Sequence, residues 1–359
     1  MNTTKNNSPN IPQEKAISIH SFIPEVIDYL HNSRHVIVPG FSKNCTYEVQ
    51  ALAQGEYNMN FLIKQNSTAW VLRINSGSQI GYSTAEQITY EYQTLQLLAP
   101  LNVSPMPFFL DNTCVLLPFG ILGMDYYPGE SLNYRQDLAE AAILFSHYHQ
   151  LKVPSAKNHL IHETEPLSLT YHRCGKMLEV YFDSDLADPD LKNYLGEVYA
   201  WAGEARKKEA YFIADPWYCI INTEVNNTNW IFNRKTGTVH LTDWEKPLWG
   251  DPSQDLSHFR VPTTTLWKTD YRMSEAEKAE MMDTYKASLS DPHLKDTIEE
   301  RTRLRDPFNC LRGVSWCAMA WVQYQKDEHL LKNMDTFRKL ELYTNIKFVR
   351  SLFDPFMVS

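Results

Sequence analysis

The sequence predicts an α+β fold in two lobes, a small one with an antiparallel sheet plus a helix, then a larger one that is mainly helical. Three observations carry this. Between residues 47 and 74 short apolar runs flank polar turns, as in β-hairpins. Beyond about residue 128 the apolar spacing is mostly helical. With 359 residues and 43% apolar content, the chain can bury the cores of two lobes. The small lobe is placed at residues 15–127 and the large lobe at 128–359. Residues 1–14 read as a flexible tail, rich in Asn, Ser and Pro and without the apolar centre of an export signal.

Residues 17–30 carry apolar side chains at mixed spacings around Pro24 and read as a short broken helix. Residues 59–63 and 69–74 flank a polar turn and form a hairpin, in which alternation puts Arg73 opposite Leu72 and Ile74. An arginine in an apolar strand calls for a partner. Glu91 is the candidate, in a helix over residues 86–99 that Pro100 closes. Pro128, Gly129 and Glu130 mark the turn between lobes. In the large lobe, Asp137 with Glu140 predicts a capped helix to about residue 151. Ser274 with Glu277 predicts another, with Met281, Tyr285 and Leu289 on one face and Pro292 ending the segment. Residues 311–324, including Trp316 and Trp321, read as a buried helix.

A net charge of -9 argues against nucleic acid as the partner and leans weakly towards a cationic substrate. No apolar run approaches the roughly 18–20 residues that span a bilayer. The six cysteines are scattered, with neither CxxC nor zinc spacing, as in a cytoplasmic protein with reduced thiols. Oligomeric state is left open.

The chemistry concentrates late in the chain. Residues 222–229 read Asn-Thr-Glu-Val-Asn-Asn-Thr-Asn, and Asp243, Trp244 and Glu245 follow a second hairpin whose turn spans residues 233–237. Folding that hairpin brings Asn229 and Asp243 roughly opposite each other, with Glu224 on the adjoining loop. Two hard oxygen ligands suit Mg²⁺, which completes its shell with water and phosphate. Phosphoryl transfer needs a metal, a cation on the phosphates, a covering loop and a carboxylate near the attacking hydroxyl. Asn229 and Asp243 would hold the metal, Arg73 would contact phosphate, residues 55–60 would cover it, and Glu224 would orient the hydroxyl or take its proton. Among the other acids, Asp255 reads as a cap or brace at a helix start, Asp251 as a turn former, and Glu245 as undecided. Trp316, Trp321 and Tyr324 read as core, and His147 and His149 as packing or solvent-facing side chains.

These motifs resemble the aminoglycoside phosphotransferase and choline kinase-like family, small-molecule relatives of the protein kinases. The family's catalytic loop commonly reads H-G-D-x-x-x-x-N, and its hairpin leads into D-W-E; residues 222–229 and 243–245 share that frame. The downstream G-D-P-x-x-D-L is present in full at residues 250–256. Gly55 and Asn58 lie in a stretch similar to the nucleotide-covering turn, Arg73 stands for the phosphate-contacting cation, and Glu91 for its helical ion-pair partner. The resemblance runs from about residue 47 to 259. It implies a kinase-like fold that binds ATP and Mg²⁺ between the lobes and phosphorylates a hydroxyl of a small polar, amine-bearing metabolite or antibiotic. The chain departs from the pattern at Asn222, Thr223 and Glu224, which replace His, Gly and Asp, and at Arg73, which replaces the common Lys. The extra methylene of Glu224 displaces a base by about 1 Å, and misplacement on that scale can cost roughly 100-fold in rate. A nucleotide-binding pseudokinase, acting as regulator or scaffold, is therefore the alternative.

Overall fold

The structure, a computed structural model, describes residues 19–55, 57–326 and 334–358. The expected tail over residues 1–14 lies outside them. A 3₁₀ turn (Ile19–Phe22) leads into helix α1 (Ile23–Asn32), where Pro24 occupies the first turn. Proline starts this helix rather than breaking it, because a first-turn N–H has no intrahelical partner to lose.

Strands β1 (Glu48–Gln54), β2 (Asn58–Gln65), β3 (Thr68–Asn75), β4 (Pro107–Asp111) and β5 (Gly120–Asp125) form one antiparallel sheet in the order β1-β2-β3-β5-β4. Helix α2 (Thr84–Leu98) covers one face and α1 closes the other. Strand alternation sorts β3 accordingly: Trp70, Leu72 and Ile74 join the cluster around Val26, Tyr29 and Leu30, while Val71 joins Ile88 and Leu95. Arg73 is thus on the α2 side. Ser83 and Glu86 form a reciprocal capping box at the start of α2. The helix comes so close to the sheet that a Cβ at Gly120 would stand 2.4 Å from Ile88 Cγ2.

Beyond β5 the chain crosses to the helical lobe. A Cβ at Gly129 would lie 2.7 Å from the Phe232 carbonyl oxygen, so only glycine lets the crossing pass this closely. Glu130 then exchanges backbone hydrogen bonds with Phe232, at 2.8 and 3.0 Å.

The large lobe comprises α3 (Leu138–His149), α4 (Ser168–Phe182), α5 (Pro189–Ala205), α6 (Ala210–Ala214), α7 (Ser253–Arg260), α8 (Pro262–Lys268), α9 (Glu275–Ala287), α10 (Pro292–Gln325), α11 (Met334–Tyr343) and α12 (Ile346–Met357). Two short strand pairs lie within it: β6 (Cys219–Ile221) with β9 (Leu248–Gly250), and β7 (Trp230–Asn233) with β8 (Thr238–Leu241). Three sequence expectations change here. Asp137 makes no side-chain cap on α3, because Arg234 takes its carboxylate with bonds of 2.5 and 2.8 Å. Pro292 opens α10 instead of ending the preceding segment, and residues 311–324 are the second half of that 34-residue helix. The Ser274–Glu277 capping box on α9 is formed. Buried side chains of α4, α5, α10 and α12 make one core, and a larger cluster joins α2, α3, α7 and α9 beneath the β7–β8 hairpin. Among the described residues, no helix is long and apolar enough to cross a membrane.

Candidate active site

The loop after β6 is fixed from below. Asp255, fully buried on α7, accepts the backbone N–H of Asn222 at 2.7 Å and of Thr223 at 2.9 Å. It also accepts the Tyr148 hydroxyl at 2.6 Å, and His149 Nε2 lies 3.4 Å away. Asp255 therefore braces this loop, not a helix start. Burial pushes its carboxyl up, but His149, Tyr148 and the Asn222 N–H together hold it below the usual range. His149 is buried and paired with the Tyr285 hydroxyl at 3.0 Å.

Thr223 adopts φ +69°, a conformation that suits the glycine common at this place and is costly for a β-branched residue. The two bonds to Asp255 and a third from Thr223 Oγ1 to the Lys246 carbonyl (3.0 Å) over-determine it.

At the open end of the β7–β8 hairpin, Trp230 pairs with Leu241, and the Thr242 N–H donates to the Asn229 carbonyl at 2.8 Å. Asn229 thus faces Thr242, and Asp243 is one step beyond, turned by φ +60°. Asn222 Nδ2 donates to the Asp243 carbonyl at 3.2 Å. Asn229 Nδ2 donates to the Glu224 carbonyl at 2.7 Å, while its Oδ1 accepts no hydrogen bond among the described residues.

From the small lobe comes Arg73, 4% exposed. Its Nη2 lies 2.6 Å from Asp243 Oδ1 and 3.8 Å from Glu245 Oε2, and its Nε lies 3.1 Å from Glu91 Oε2. One cation faces three carboxylates. Burial opposes its charge, but Glu91, Asp243 and Glu245 outweigh that and raise its pKa further. Burial pushes Glu91 up to about 7; Arg73 opposes the rise, and Asp243 and Glu245 add to it.

Glu245 is drawn into the small lobe. Asn58 Nδ2 donates to it at 2.5 Å and Gln79 Nε2 at 2.9 Å, while Gln87 donates to its backbone carbonyl. Tyr90 donates to the Pro247 carbonyl at 2.6 Å, and Lys246 donates to Gln79 Oε1 at 2.7 Å. Asn58 has its other amide atom engaged as well, accepting from Asn75 at 2.9 Å. Gly55 lies in the tight β1–β2 turn, its N–H donating to the Asn58 carbonyl at 2.9 Å. A Cβ there would meet nothing nearer than 3.9 Å, so local space does not demand glycine.

Glu224 sits between two cations from different parts of the chain. Lys246 contacts Oε1, and Arg312 Nη2 of α10 donates to the same oxygen at 2.7 Å. Arg312 also donates to the Thr223 carbonyl at 3.3 Å. Burial works against the Glu224 charge, yet Lys246 and Arg312 overcome it and bring the carboxyl down to about 2. Nearby His258 is pushed down to about 4 by burial and Arg312, so it is neutral at neutral pH, and its buried Nδ1 has no hydrogen-bond partner among the described residues.

The fold thus gathers Arg73, Glu91, Asn58 and Asp243 into one ionic cluster and places Asn229 and Glu224 on the adjoining loop, with Gly55 in the turn above. Sequence reasoning missed Lys246, Arg312, Gln79 and the brace role of Asp255. Lys246 directly follows Asp243-Trp244-Glu245 and could have been considered. Arg312 lies 88 residues from Glu224, and nothing local announces it.

The fold has counterparts among known proteins. A sequence model of the phosphotransferase enzyme family matches residues 48–289. No curated protein sequence matches the chain. Among solved structures, choline kinase from Cryptosporidium parvum Iowa II is similar at TM-score 0.60 and 11% identity, covering 94% of this chain and 98% of that one. Ethanolamine kinase from Plasmodium vivax gives TM-score 0.58 and 12% identity, over 85% of this chain and 83% of that one. Spectinomycin phosphotransferase, in complex with ADP and spectinomycin, gives 0.57 and 12%, over 87% and 94%. These likenesses establish the two-lobed, kinase-like α+β architecture. Since the family match spans well over half of the chain, the protein belongs to the phosphotransferase enzyme family.

Proposed function

We propose that this chain transfers the γ-phosphoryl group of ATP to a hydroxyl of a small polar molecule, with Mg²⁺ as the metal. The observation that carries this reading is the placement of Asp243 against Arg73, one residue beyond the Asn229–Thr242 pair and beside the Glu224 loop. The residues fit the metal: Asn229 Oδ1, without a hydrogen bond among the described residues, and the partly exposed Asp243 carboxylate, of which Arg73 takes Oδ1, are hard oxygen donors. When bound, Mg²⁺ would neutralise charge developing on the transferred group.

The chain's own residues do the remainder. Arg73, held by Glu91, presents a fixed guanidinium towards the phosphates. Glu224, ionised at neutral pH, orients the acceptor hydroxyl and can receive its proton. A base this acidic contributes more through orientation than through proton affinity. The ADP complex of spectinomycin phosphotransferase supports a nucleotide in the equivalent cleft. Overall charge favours an amine-bearing acceptor, as the choline and ethanolamine kinase likenesses do, whereas the cations on Glu224 do not.

Isothermal titration with ATP, with and without Mg²⁺, tests the reading in wild type, Asp243→Ala and Asn229→Ala. Magnesium-dependent binding lost in both variants is the expected result. Identical binding by all three would sink it.

The pinned Glu224 carboxylate and the strained Thr223 favour one second reading, a family member that holds nucleotide without turning it over. ADP release with any acceptor of a broad hydroxyl panel would eliminate it.

A further inference from the structure

Resting on the phosphotransfer reading, we propose that Lys246 and Arg312 are positioning residues: they clamp Glu224 by one carboxylate oxygen, Oε1, and so hold the other, Oε2, for the acceptor hydroxyl.

Three arginine–carboxylate pairs of the large lobe use both oxygens of the acid. Arg305 takes Glu163 at 3.1 and 2.6 Å, Arg260 takes Asp306 at 3.1 and 2.6 Å, and Arg234 takes Asp137 at 2.5 and 2.8 Å. A planar guanidinium favours that fork, because it forms two parallel hydrogen bonds at once. Glu224 is held differently. It has two cations, yet Lys246 contacts Oε1 and Arg312 Nη2 donates to the same atom at 2.7 Å. Arg312 turns its Nη1 to the Thr223 carbonyl at 3.3 Å rather than to Oε2. Oε2 accepts no hydrogen bond among the described residues, and the Glu224 side chain is 21% exposed. Asp243 repeats the pattern: Arg73 takes Oδ1, and nothing among the described residues donates to Oδ2. The acid assigned to the acceptor and the acid assigned to the metal are thus each left one oxygen.

The clamp answers the extra methylene of Glu224. A glutamate has one more torsion than an aspartate and, unrestrained, spreads its carboxylate over several rotamers. The backbone of Glu224 is already fixed, its N–H on Asn222 Oδ1 at 2.9 Å and its carbonyl under Asn229 Nδ2 at 2.7 Å. Among the described residues only the two cations hold the carboxylate, and one arm is anchored in each lobe. Arg312 stands on α10 of the large lobe. Lys246 donates to Gln79 Oε1 of the small lobe at 2.7 Å, and Gln79 in turn donates to Glu245 Oε1 at 2.9 Å. Misplacement by about 1 Å can cost roughly 100-fold in rate, so the clamp bears directly on turnover.

The test is ADP release by the full chain from MgATP, with water and with a panel of small hydroxyl compounds. Wild type is compared with Lys246→Met, Lys246→Arg, Glu224→Ala and the double variant Lys246→Met/Glu224→Ala. Lys207→Met, which removes a lysine 72% exposed on the surface, controls for the loss of charge. Lys246→Met should lower kcat roughly tenfold or more while KM for MgATP stays within roughly threefold, and Lys246→Arg should recover to within roughly threefold of wild type. With Glu224 already removed, Lys246→Met should cost less than roughly threefold further, since it acts through that carboxylate. An unchanged or higher kcat in Lys246→Met, a loss carried by KM, or the same fold loss with and without Glu224 overturns the proposal. Arg312→Met removes the other arm, carries the same expectations, and decides the matter if circular dichroism shows Lys246→Met unfolded. No ADP release by wild type with any acceptor refutes phosphotransfer, and the role falls with it; release that Lys246→Met leaves unaffected refutes the role alone.

Discussion

Replacing Arg73 with methionine takes away the cation that faces Glu91, Asp243 and Glu245 while filling much of its volume. The side chains differ in how much water can compensate: Glu91 is 2% exposed, Glu245 10% and Asp243 32%. The penalty therefore falls mainly on Glu91. Removing one partner of a buried ion pair costs about 3–5 kcal/mol, and that is the loss expected near pH 8. A second change, Glu91→Gln, deletes the stranded charge at nearly constant shape and should recover more than half of the loss. The pH dependence supplies an independent check. Burial already pushes Glu91 up to about 7 against the opposition of Arg73, and without Arg73 it rises further. A carboxyl whose folded pKa exceeds its unfolded value costs stability above the folded pKa, and that cost fades as pH falls through it. The deficit of Arg73→Met should thus be largest at about pH 8 and clearly smaller at about pH 5.5. Urea unfolding followed by circular dichroism measures all three quantities, the deficit at each pH and its recovery in the double variant. A deficit under about 1 kcal/mol, the same deficit at both pH values, or no recovery in the double variant would refute the assignment of Arg73 as counter-ion to a buried cluster.

Asp255→Asn keeps the shape of the brace but replaces one accepting oxygen with a donor under the Asn222 and Thr223 N–H groups; kcat should fall about 100-fold, with MgATP affinity changed far less, and an unchanged kcat would rule out a positioning role. Glu224, with its carboxyl down at about 2, stays ionised throughout the neutral range, so kcat/KM should show no acidic limb from it between about pH 5.5 and 8. Its folded pKa lies below the unfolded value, so its share of stability is present above about pH 4.5 and is lost as pH falls towards 2; acid unfolding of Glu224→Gln should be less steep across that window than in wild type.

Arg73 was legible in the sequence because strand alternation is a local rule: its neighbours Leu72 and Ile74 had to face the opposite way, and the spacing of one helix supplied Glu91. The nearness of Asn229 to Asp243 followed from a hairpin with a clear turn, where register fixes partners to within one residue. What failed depended on distant chain or on a residue with two uses. Asp137 has the pattern of a cap, but Arg234, 97 positions away, claims its carboxylate. Pro292 can mark a helix end or a helix start, and only the tertiary course of α10 decides. The character of Glu224 was hidden for the same reason, since Arg312, 88 positions along the chain, joins Lys246 in holding its carboxyl down.

The seam through Gln79, Gln87, Tyr90 and Asn58 binds residues 245–247 to the small lobe, although these residues follow a hairpin of the large one. Any widening of the cleft has to carry that segment upwards or tear it loose. If carried, it draws Asp243 away from Asn229, which stays with the hairpin through the Thr242 N–H and the Glu224 carbonyl. Lobe opening and separation of the two oxygen donors then become a single motion, pivoting at the left-handed backbone of Asp243. On the phosphotransfer proposed above, letting the spent nucleotide go and dismantling the cation site would be one event rather than two.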